Sequence, residues 1–425
     1  LKKLLENISD EADLSIVLRQ FRRREMIRIA WRDMAGMSDL SETMRDLSLF
    51  ADACVQTALS HLYEKQVSQF GTPVSVTGEP QQLVVLGMGK LGAYELNFSS
   101  DIDLIFAYPE LGETVGTDRN TTNDEFFVKL CRKLLNVLSA NLSEGFVFRV
   151  DMGLRPYGEG GPLVMNFDAI EAYYQMQGRE WERYAWIKAR VIAGDKVSGE
   201  KLLHRLNPFI YRRYLDFGLF ESLREMKGKI ALEVLKHGMR DNIKLGSGGI
   251  REIEFFGQIF QLIRGGIVRS LQERQIQKVL DILVEEKIIE AEVCKQLQQA
   301  YIFLRNTEHR LQEYANMQTH QLPSDDLGKI CLAVSMGFPS YDAFYEALNI
   351  HREYVHSQFH TLLEVRDADE HNPTDDGLRE VWQNSKDKDH HIRILAEIGF
   401  QQPAEILQTL DEFRSGLSLK MPGSK

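Results

Sequence analysis

Apolar residues recur with a helical period near both ends of the chain. Between Leu14 and Trp31 they stand three or four positions apart, which places them on one side of a helix. The same spacing persists over most of residues 200 to 420, where it is interrupted by short stretches rich in Gly and Pro. The pattern therefore predicts a helical arm over residues 1 to about 70 and a large helical region after residue 200.

The part between these regions has short apolar runs bounded by Gly and Pro, which is the pattern of buried strands. We predict strands at Leu83–Leu86, Ile102–Tyr108 and Phe146–Asp151. Thr122, with Glu125 three positions later, predicts the start of a helix that ends near Ala140. A helical period from Ile170 to Ala193 predicts one long helix there.

The resulting fold class is mainly α, with a small α+β domain of mixed sheet between helical regions. We expect three parts: a helical arm over residues 1–78, a sheet-containing domain over 79–197, and a helical domain over 198–425. A chain of 425 residues is long enough for two or three hydrophobic cores.

Five arginines lie mostly off the apolar side of the first predicted helix. They are Arg22, Arg23, Arg24, Arg28 and Arg32. An ion-paired, solvated helix face is the favoured interpretation, and contact with a phosphate or a protein partner is the alternative.

Composition restricts the partners. The net charge of −11 argues against a nucleic-acid substrate, because phosphate neutralisation by a basic excess supplies most of the affinity for such ligands.

No apolar run approaches the roughly 20 residues of a membrane span. The four cysteines are widely scattered, which favours reduced thiols and a cytoplasmic protein. The first residue is Leu1 rather than Met, so we expect a piece of a longer polypeptide.

The first predicted strand leads into a glycine loop whose chemistry is ambiguous. Gly87, Gly89 and Gly92 form the pattern G-x-G-x-x-G, which is also the fingerprint of dinucleotide-binding domains. That fold needs a full helix after the loop, followed by a strand that ends in an acidic residue. Glu110 lies at a suitable distance, but only residues 93 to 100 remain for the helix. The dinucleotide interpretation also leaves Asp101 and Asp103 without a role.

A site made of two or three carboxylates explains Asp101 and Asp103 better than a dinucleotide site does. Asp101 and Asp103 are two positions apart at the start of a strand, so their side chains point to the same side. Like charges held so close are tolerated chiefly when a cation lies between them, and oxygen ligands suit Mg²⁺ or Mn²⁺. Asp151 ends another predicted strand and would be a third ligand. Such a site promotes displacement at phosphorus.

The glycine loop then becomes part of the same site. Backbone N–H groups between Gly87 and Gly92 would bind phosphate oxygens, as they do in other glycine loops. Lys90 and Arg155 would add positive charge near the phosphates.

A glycine loop followed by D-x-D at the start of a strand resembles the signature of the nucleotidyltransferase superfamily that includes DNA polymerase β. Within that superfamily, several segments resemble the N-terminal half of the bacterial glutamine synthetase adenylyltransferase/adenylyl-removing enzymes. They are residues 87–106, 150–162, 178–185, 188–190, 248–255, 305–312 and 318–323. The resemblance covers most of the chain and becomes thin after about residue 370.

The resemblance implies an enzyme that removes AMP from a tyrosine of glutamine synthetase by phosphorolysis, with phosphate as co-substrate and ADP as product. It implies Mg²⁺ or Mn²⁺ held by Asp101, Asp103 and Asp151. Ser99 and Ser100, beside the carboxylates, would bind phosphate oxygens, and phosphate or ribose contact is expected for Lys188 and Arg190. The implied partners are glutamine synthetase, the uridylylated PII signal protein and a C-terminal adenylyltransferase half of the same chain.

One position departs from the family pattern. The family usually has Arg where this chain has Gly153. Because residues 151, 153 and 155 of an extended segment face the same way, an arginine there would add charge beside the metal ligands. Its absence keeps open a second hypothesis, a regulatory module that binds PII or a nucleotide but has weakened catalysis.

Overall fold

The computed structural model describes residue 8 and residues 10–212, 241–314, 317–369, 388–398 and 402–407. The helical arm consists of α1, Glu11–Met34, and α2, Leu40–Phe70. The Asp10 carboxylate accepts hydrogen bonds from the N–H groups of Ala12 and Asp13, which caps the start of α1. The prediction of helices in this part of the chain is therefore confirmed over the described residues.

A small mixed sheet follows the arm. Its strands are β2 (Val84–Gly87), β3 (Ile102–Tyr108), β5 (Val150–Asp151), β6 (Val164–Asn166) and β7 (Arg190–Gly194). The strand order is β5-β3-β2-β7, and β6 also pairs with β3. Strand β2 is antiparallel to β3 and β7, whereas β3 is parallel to β5 and β6. Strands β1, Thr72–Pro73, and β4, Thr114–Val115, form a separate two-stranded sheet.

The direction of β3 decides against the dinucleotide interpretation. In a dinucleotide-binding unit the two strands around the glycine loop are parallel and joined by a crossover helix. Here β2 and β3 are antiparallel, and the helix between them, α3, comprises only Gly89–Gly92. The loop therefore belongs to another kind of site.

Helix α4, Asn123–Ser139, covers the sheet on the side of the arm. Thr122 caps its start by accepting a hydrogen bond from the Glu125 N–H, as predicted. Phe126, Phe127 and Leu130 are completely buried in one core with residues of α1, α2 and β3. Each such side chain stabilises the fold by about 1.5–3 kcal/mol. This core fixes the sheet on which the candidate site is built.

The prediction of one long helix from Ile170 to Ala193 is wrong. Helix α5, Phe167–Gln177, ends at Gly178, where a side chain would collide with the Phe209 ring. Helix α6, Glu180–Trp186, then begins, with the Glu182 carboxylate accepting a hydrogen bond from the N–H of Arg179. Beyond α6 the chain forms β7, whose β-branched residues pair with β2 in the core.

The predicted strand Phe146–Asp151 is shorter than expected. The N–H groups of Val147 and Phe148 both donate to the carbonyl of Leu138, near the end of α4. These two residues therefore complete the hydrogen bonding of a helix end, and only Val150–Asp151 extends the sheet.

Residues 213–240, 370–387 and 408–425 of the predicted helical region lie outside the described residues. Elsewhere in that region the remaining helices confirm the prediction. They are α7 (Lys196–Ile210), α8 (Ile250–Arg264), α9 (Ile276–Glu285), α10 (Ala291–Glu313), α11 (Asp326–Ser335), α12 (Tyr341–Asp369) and α13 (Lys388–Ile398). The chain divides into two compact units, residues 1–357 and 358–425. The finer division into three parts stays a prediction. Among the described residues, no helix is both long and apolar enough to cross a membrane, and all four cysteines are free thiols.

Candidate active site at the glycine loop

The glycine loop lies directly against a carboxylate of the next strand. The N–H of Met88 donates to the carbonyl of Asp103 at 2.9 Å. Gly89 has a φ of +52°, and a side chain there would lie 2.8 Å from Oδ2 of Asp103. At Gly92 a side chain would overlap the carbonyl of Lys188. The glycines therefore let the loop approach both Asp103 and the residues before β7.

Asp103 and Asp151 are partners in the parallel pairing of β3 with β5. Burial, together with the neighbouring charge of Asp151, raises the pKa of Asp103 to about 6. Lys244 opposes this rise in part. The two carboxylates therefore form a centre of negative charge that the protein only partly compensates.

Asp101 stands one residue before β3 and is held by two donors from distant parts of the chain. Nε of Arg149 donates to its Oδ1 at 2.8 Å, and Nε2 of Gln318 donates to its Oδ2 at 3.0 Å. Each carboxylate oxygen keeps a second lone pair. These two hydrogen bonds fix the orientation of the Asp101 carboxylate and leave its oxygens able to accept further bonds.

The oxygen atoms of the three carboxylates are the type of ligand atom that binds a divalent cation. Mg²⁺ and Mn²⁺ take oxygen ligands, and the uncompensated charge of Asp103 and Asp151 is what such an ion would neutralise. In their present positions, however, no three His, Cys, Asp or Glu side chains of the described residues surround a single point suited to a metal. The described residues therefore offer a pair of carboxylates with Asp101 beside it, rather than a closed cage.

The two serines before Asp101 make bonds within the protein. Ser99 accepts hydrogen bonds from Nη2 of Arg149 on both its carbonyl and its Oγ, each at 2.9 Å. Its N–H donates to Oε1 of Gln312 at 2.9 Å. The Ser100 hydroxyl donates to Oδ1 of Asn97. This turn links Asp101 to α10, and its role in phosphate binding stays a prediction.

Lys90 and Lys188 form buried ion pairs. Nζ of Lys90 lies 2.9 Å from Oε1 of Glu308, and burial lowers the pKa of Lys90 to about 7. Nζ of Lys188 lies 2.8 Å from Glu95 and 2.7 Å from Glu254. Burial opposes the charge of Lys188, but these two acids raise its pKa above the usual value. Both lysines therefore have internal partners beneath the glycine loop.

Arg190 and Arg155 also make bonds within the protein. Arg190 lies on β7 rather than on the predicted helix, pairs with Asp52 at 2.7 Å and stacks on the Tyr94 ring. Arg155 donates to the carbonyls of Met152 and Glu159, each at 2.8 Å, and so organises the turn after β5. Phosphate contact by Lys90, Lys188, Arg190 and Arg155 stays a prediction.

Sequence reasoning missed three residues that shape the site. Arg149 and Gln318 hold Asp101, and Glu308 holds Lys90. Glu308 and Gln318 lie in two of the segments that carried the family resemblance, 305–312 and 318–323. The family resemblance singled out these two segments. No spacing pattern connects Glu308 and Gln318 with Lys90 and Asp101, which lie more than 200 positions earlier in the chain.

Comparison with known proteins agrees with the motifs. The family profile described as "Glutamate-ammonia ligase adenylyltransferase" matches residues 1–205, and one described as "GlnD PII-uridylyltransferase" matches residues 224–363. The bifunctional glutamine synthetase adenylyltransferase/adenylyl-removing enzyme of Nitrosococcus oceani is 51% identical over 99% of this chain. The proteins of the same name from Pseudomonas aeruginosa and Pseudomonas syringae are 49% and 47% identical over 98% of it. The chain spans 44%, 43% and 43% of these three relatives, less than half of each.

Proposed function

This chain belongs to the family of bifunctional glutamine synthetase adenylyltransferase/adenylyl-removing enzymes, and on that premise we propose that it removes AMP from glutamine synthetase. The resemblance of S-S-D-I-D-L-I-F and S-G-G-I-R-E-I-E-F to the N-terminal copy favours adenylyl removal over addition. The sheet, with D-x-D at the start of β3, supports a nucleotidyltransferase domain of the polymerase β kind.

The proposed reaction is phosphorolysis. An oxygen of inorganic phosphate attacks the phosphorus of the AMP–tyrosine diester, and the bond from phosphorus to the tyrosine oxygen breaks. ADP leaves, and the tyrosine oxygen takes a proton from solvent. Stabilisation of charge on the transferring group is the main demand on the protein.

The juxtaposition of Asp103 and Asp151 beneath the glycine loop carries this proposal. These two residues, with Asp101, would hold Mg²⁺ or Mn²⁺. When bound, the ion supplies Lewis-acid polarisation of the phosphoryl oxygens. Arg149 and Gln318 keep the Asp101 carboxylate in place. N–H groups in the first turn of α3, which have no acceptor within that helix, would donate to the phosphate.

The decisive experiment uses the full chain with adenylylated glutamine synthetase, phosphate and Mg²⁺ or Mn²⁺. We expect ADP and unmodified glutamine synthetase, both dependent on phosphate and on the metal ion. Release of AMP would instead show hydrolysis. Absence of any product, with the substrate protein still bound, would favour the regulatory module.

That second candidate has its own support. Gly153 lacks the family's usual arginine, and Lys90, Lys188 and Arg190 are committed to internal ion pairs. A regulatory module would bind uridylylated PII or ADP without turning over the substrate. Calorimetric titration of the chain with each of these ligands, alongside the ADP assay, separates the two functions. A cytoplasmic location and a C-terminal adenylyltransferase half remain part of the proposal.

A further inference from the structure

A cavity of about 770 Å³ lies beside the carboxylate site and has no role in the proposed chemistry. Its walls come from α1 and α11, and its floor comes from the end of α10 and the segment after it. The wall residues include Met26, Ile27 and Met34 on α1, and Cys331 and Leu332 on α11. Ligand cavities usually measure about 300–1,000 Å³ and have mostly apolar walls, so this one has the size and lining of a binding site.

The cavity also has polar groups that lack partners. Gln312 is completely buried, and its Nε2 finds no hydrogen-bond acceptor among the described residues. Oε1 of Glu313, another lining residue, likewise finds no donor there. Buried polar atoms are nearly always hydrogen-bonded in folded proteins. Gln312 and Glu313 both line the cavity, so its wall contains two polar atoms whose hydrogen bonds are unmet among the described residues.

Exposed apolar side chains extend the cavity along both wall helices. On α1, Ile27, Trp31 and Met34 are 55–66% exposed, at spacings that put them on one face. On α11, Leu327, Ile330 and Val334 are 58–67% exposed, again at helical spacing. Trp31, Leu327, Ile330 and Val334 do not line the cavity, so a small molecule inside it would leave these four side chains in water. Their presence favours a polypeptide that lies across both helices.

Two arginines give the cavity a positive side. Arg22 and Arg23 both line it, and neither has a carboxylate within ion-pairing distance among the described residues. The other arginines considered from the sequence do form ion pairs: Arg24 with Glu25 on α1, and Arg28 and Arg32 with Asp46 and Glu42 on α2. The positive side therefore favours a polypeptide with acidic residues next to its apolar ones.

The cavity connects with the active site through a short chain of hydrogen bonds. Gln312 accepts through Oε1 from the N–H of Ser99, and Ser99 accepts from Arg149, which in turn donates to Asp101. Thr319, on another part of the lining, follows Gln318, the second donor to Asp101. A polypeptide held in the cavity is thus held next to the carboxylates.

We infer that this cavity and the apolar faces of α1 and α11 form the docking site for the protein substrate. The occupant is a segment of glutamine synthetase near the modified tyrosine, with apolar side chains between the helices and acidic ones near Arg22 and Arg23. This inference rests on the proposed function, which makes adenylylated glutamine synthetase the substrate.

The test compares a protein substrate with a small one in the full chain. Ile27→Asp places a charge on the apolar wall, and Val197→Asp is the matched control, because Val197 is 69% exposed on α7 and does not line the cavity. The substrates are adenylylated glutamine synthetase and the 5′-adenylyl ester of N-acetyltyrosine amide.

Ile27→Asp should raise KM for the protein substrate about tenfold or more and leave kinetics with the small ester unchanged. Val197→Asp should change neither. Equal effects of Ile27→Asp on both substrates, or no effect on either, would overturn the inference.

A binding measurement keeps the test independent of catalysis. Immobilised wild-type chain should bind adenylylated glutamine synthetase, Ile27→Asp should weaken binding about tenfold, and Val197→Asp should not. Arg23→Glu should slow association and reduce its dependence on salt, whereas Arg45→Glu, an exposed arginine on α2, should do neither. If wild-type chain binds the substrate but yields no ADP, the proposed function fails while the docking site stands. If Ile27→Asp and wild type bind equally well, the docking site fails whatever the catalytic result.

Discussion

Asp103 and Asp151 stand side by side as register partners on parallel strands, although 47 residues separate them in the sequence. The loop that contains Gly89 lies directly against Asp103. Lys244 compensates only part of the negative charge of the two carboxylates. A protein gains no stability from a half-buried carboxylate beside another one. The pair therefore supports the proposed divalent cation.

Asp103→Asn should reduce ADP formation about 100-fold or more, since even groups that only support metal ligands usually cost 10–100-fold when removed. The side chain keeps its shape and loses an unfavourable charge, so thermal unfolding should not occur at a lower temperature. Both quantities are measured on the same preparation, with Asp118→Asn as the control at an exposed position. An Asp103→Asn protein with wild-type activity would remove Asp103 from the mechanism.

Local patterns in the sequence predict single helices and strands, whereas contacts between distant residues leave no such pattern. Strand β3 and the capped helix α4 were predictable, because a short apolar run, a capping residue and a helical apolar period act within a few residues. Strand β7 was missed because its pairing with β2 overrides the helical period of the preceding residues. Spacing also predicted that the glycine loop and Asp103 lie together, as they do, and that they form one active site stays a prediction. The contacts of Arg149 and Gln318 with Asp101 depend on tertiary packing, which no local pattern encodes.

Arg149 and Gln318 both hold Asp101 but differ in charge, so their removal should have opposite effects on metal binding. Arg149→Met removes a cation 2.8 Å from Oδ1 of Asp101, and it should strengthen Mn²⁺ binding a few-fold. Gln318→Ala removes only orientation and should weaken Mn²⁺ binding a few-fold. Turnover should fall about tenfold in both variants, because Asp101 is less well positioned in each.

Mn²⁺ binding to the two variants is measured by electron paramagnetic resonance, which needs no substrate. Arg205→Ala is the control, because Arg205 pairs with Asp168 on the surface, away from the carboxylates. Weaker Mn²⁺ binding in Arg149→Met would show that Arg149 matters for orientation rather than for charge.

Glu308→Gln should destabilise the protein by about 3 kcal/mol, because it leaves buried cations without their counter-charge. The Glu308 carboxylate is completely buried and contacts Lys90 at 2.9 Å, Arg305 at 3.3 Å and His320 at 2.9 Å. Burial would raise the pKa of Glu308, but Lys90 and Arg305 hold it well below its usual range. The midpoint of urea unfolding measures the loss.

A second substitution identifies the cause of that loss. Lys90→Met combined with Glu308→Gln removes one buried charge of each sign, so the pair should be more stable than Glu308→Gln alone. Glu64→Gln, at an exposed acidic position of α2, should leave the midpoint unchanged. If the double variant is no more stable than the single one, the Lys90–Glu308 pair is not what anchors the glycine loop to α10.

Gly153→Arg should improve phosphate binding, because it restores the cation that the family usually has beside the proposed metal ligands. The backbone at Gly153 does not have a positive φ, so a side chain is allowed, although its Cβ would lie 3.0 Å from Oδ1 of Asp151. We expect KM for phosphate to fall roughly fivefold, equivalent to about 1 kcal/mol.

Gly153→Ala separates the effect of charge from the effect of the added side chain, because it introduces the close contact without the charge and should leave KM unchanged or slightly higher. If alanine and arginine change KM equally, the space at residue 153 matters and the charge does not. If neither changes it, the native glycine gives no reason to favour the regulatory module over the enzyme.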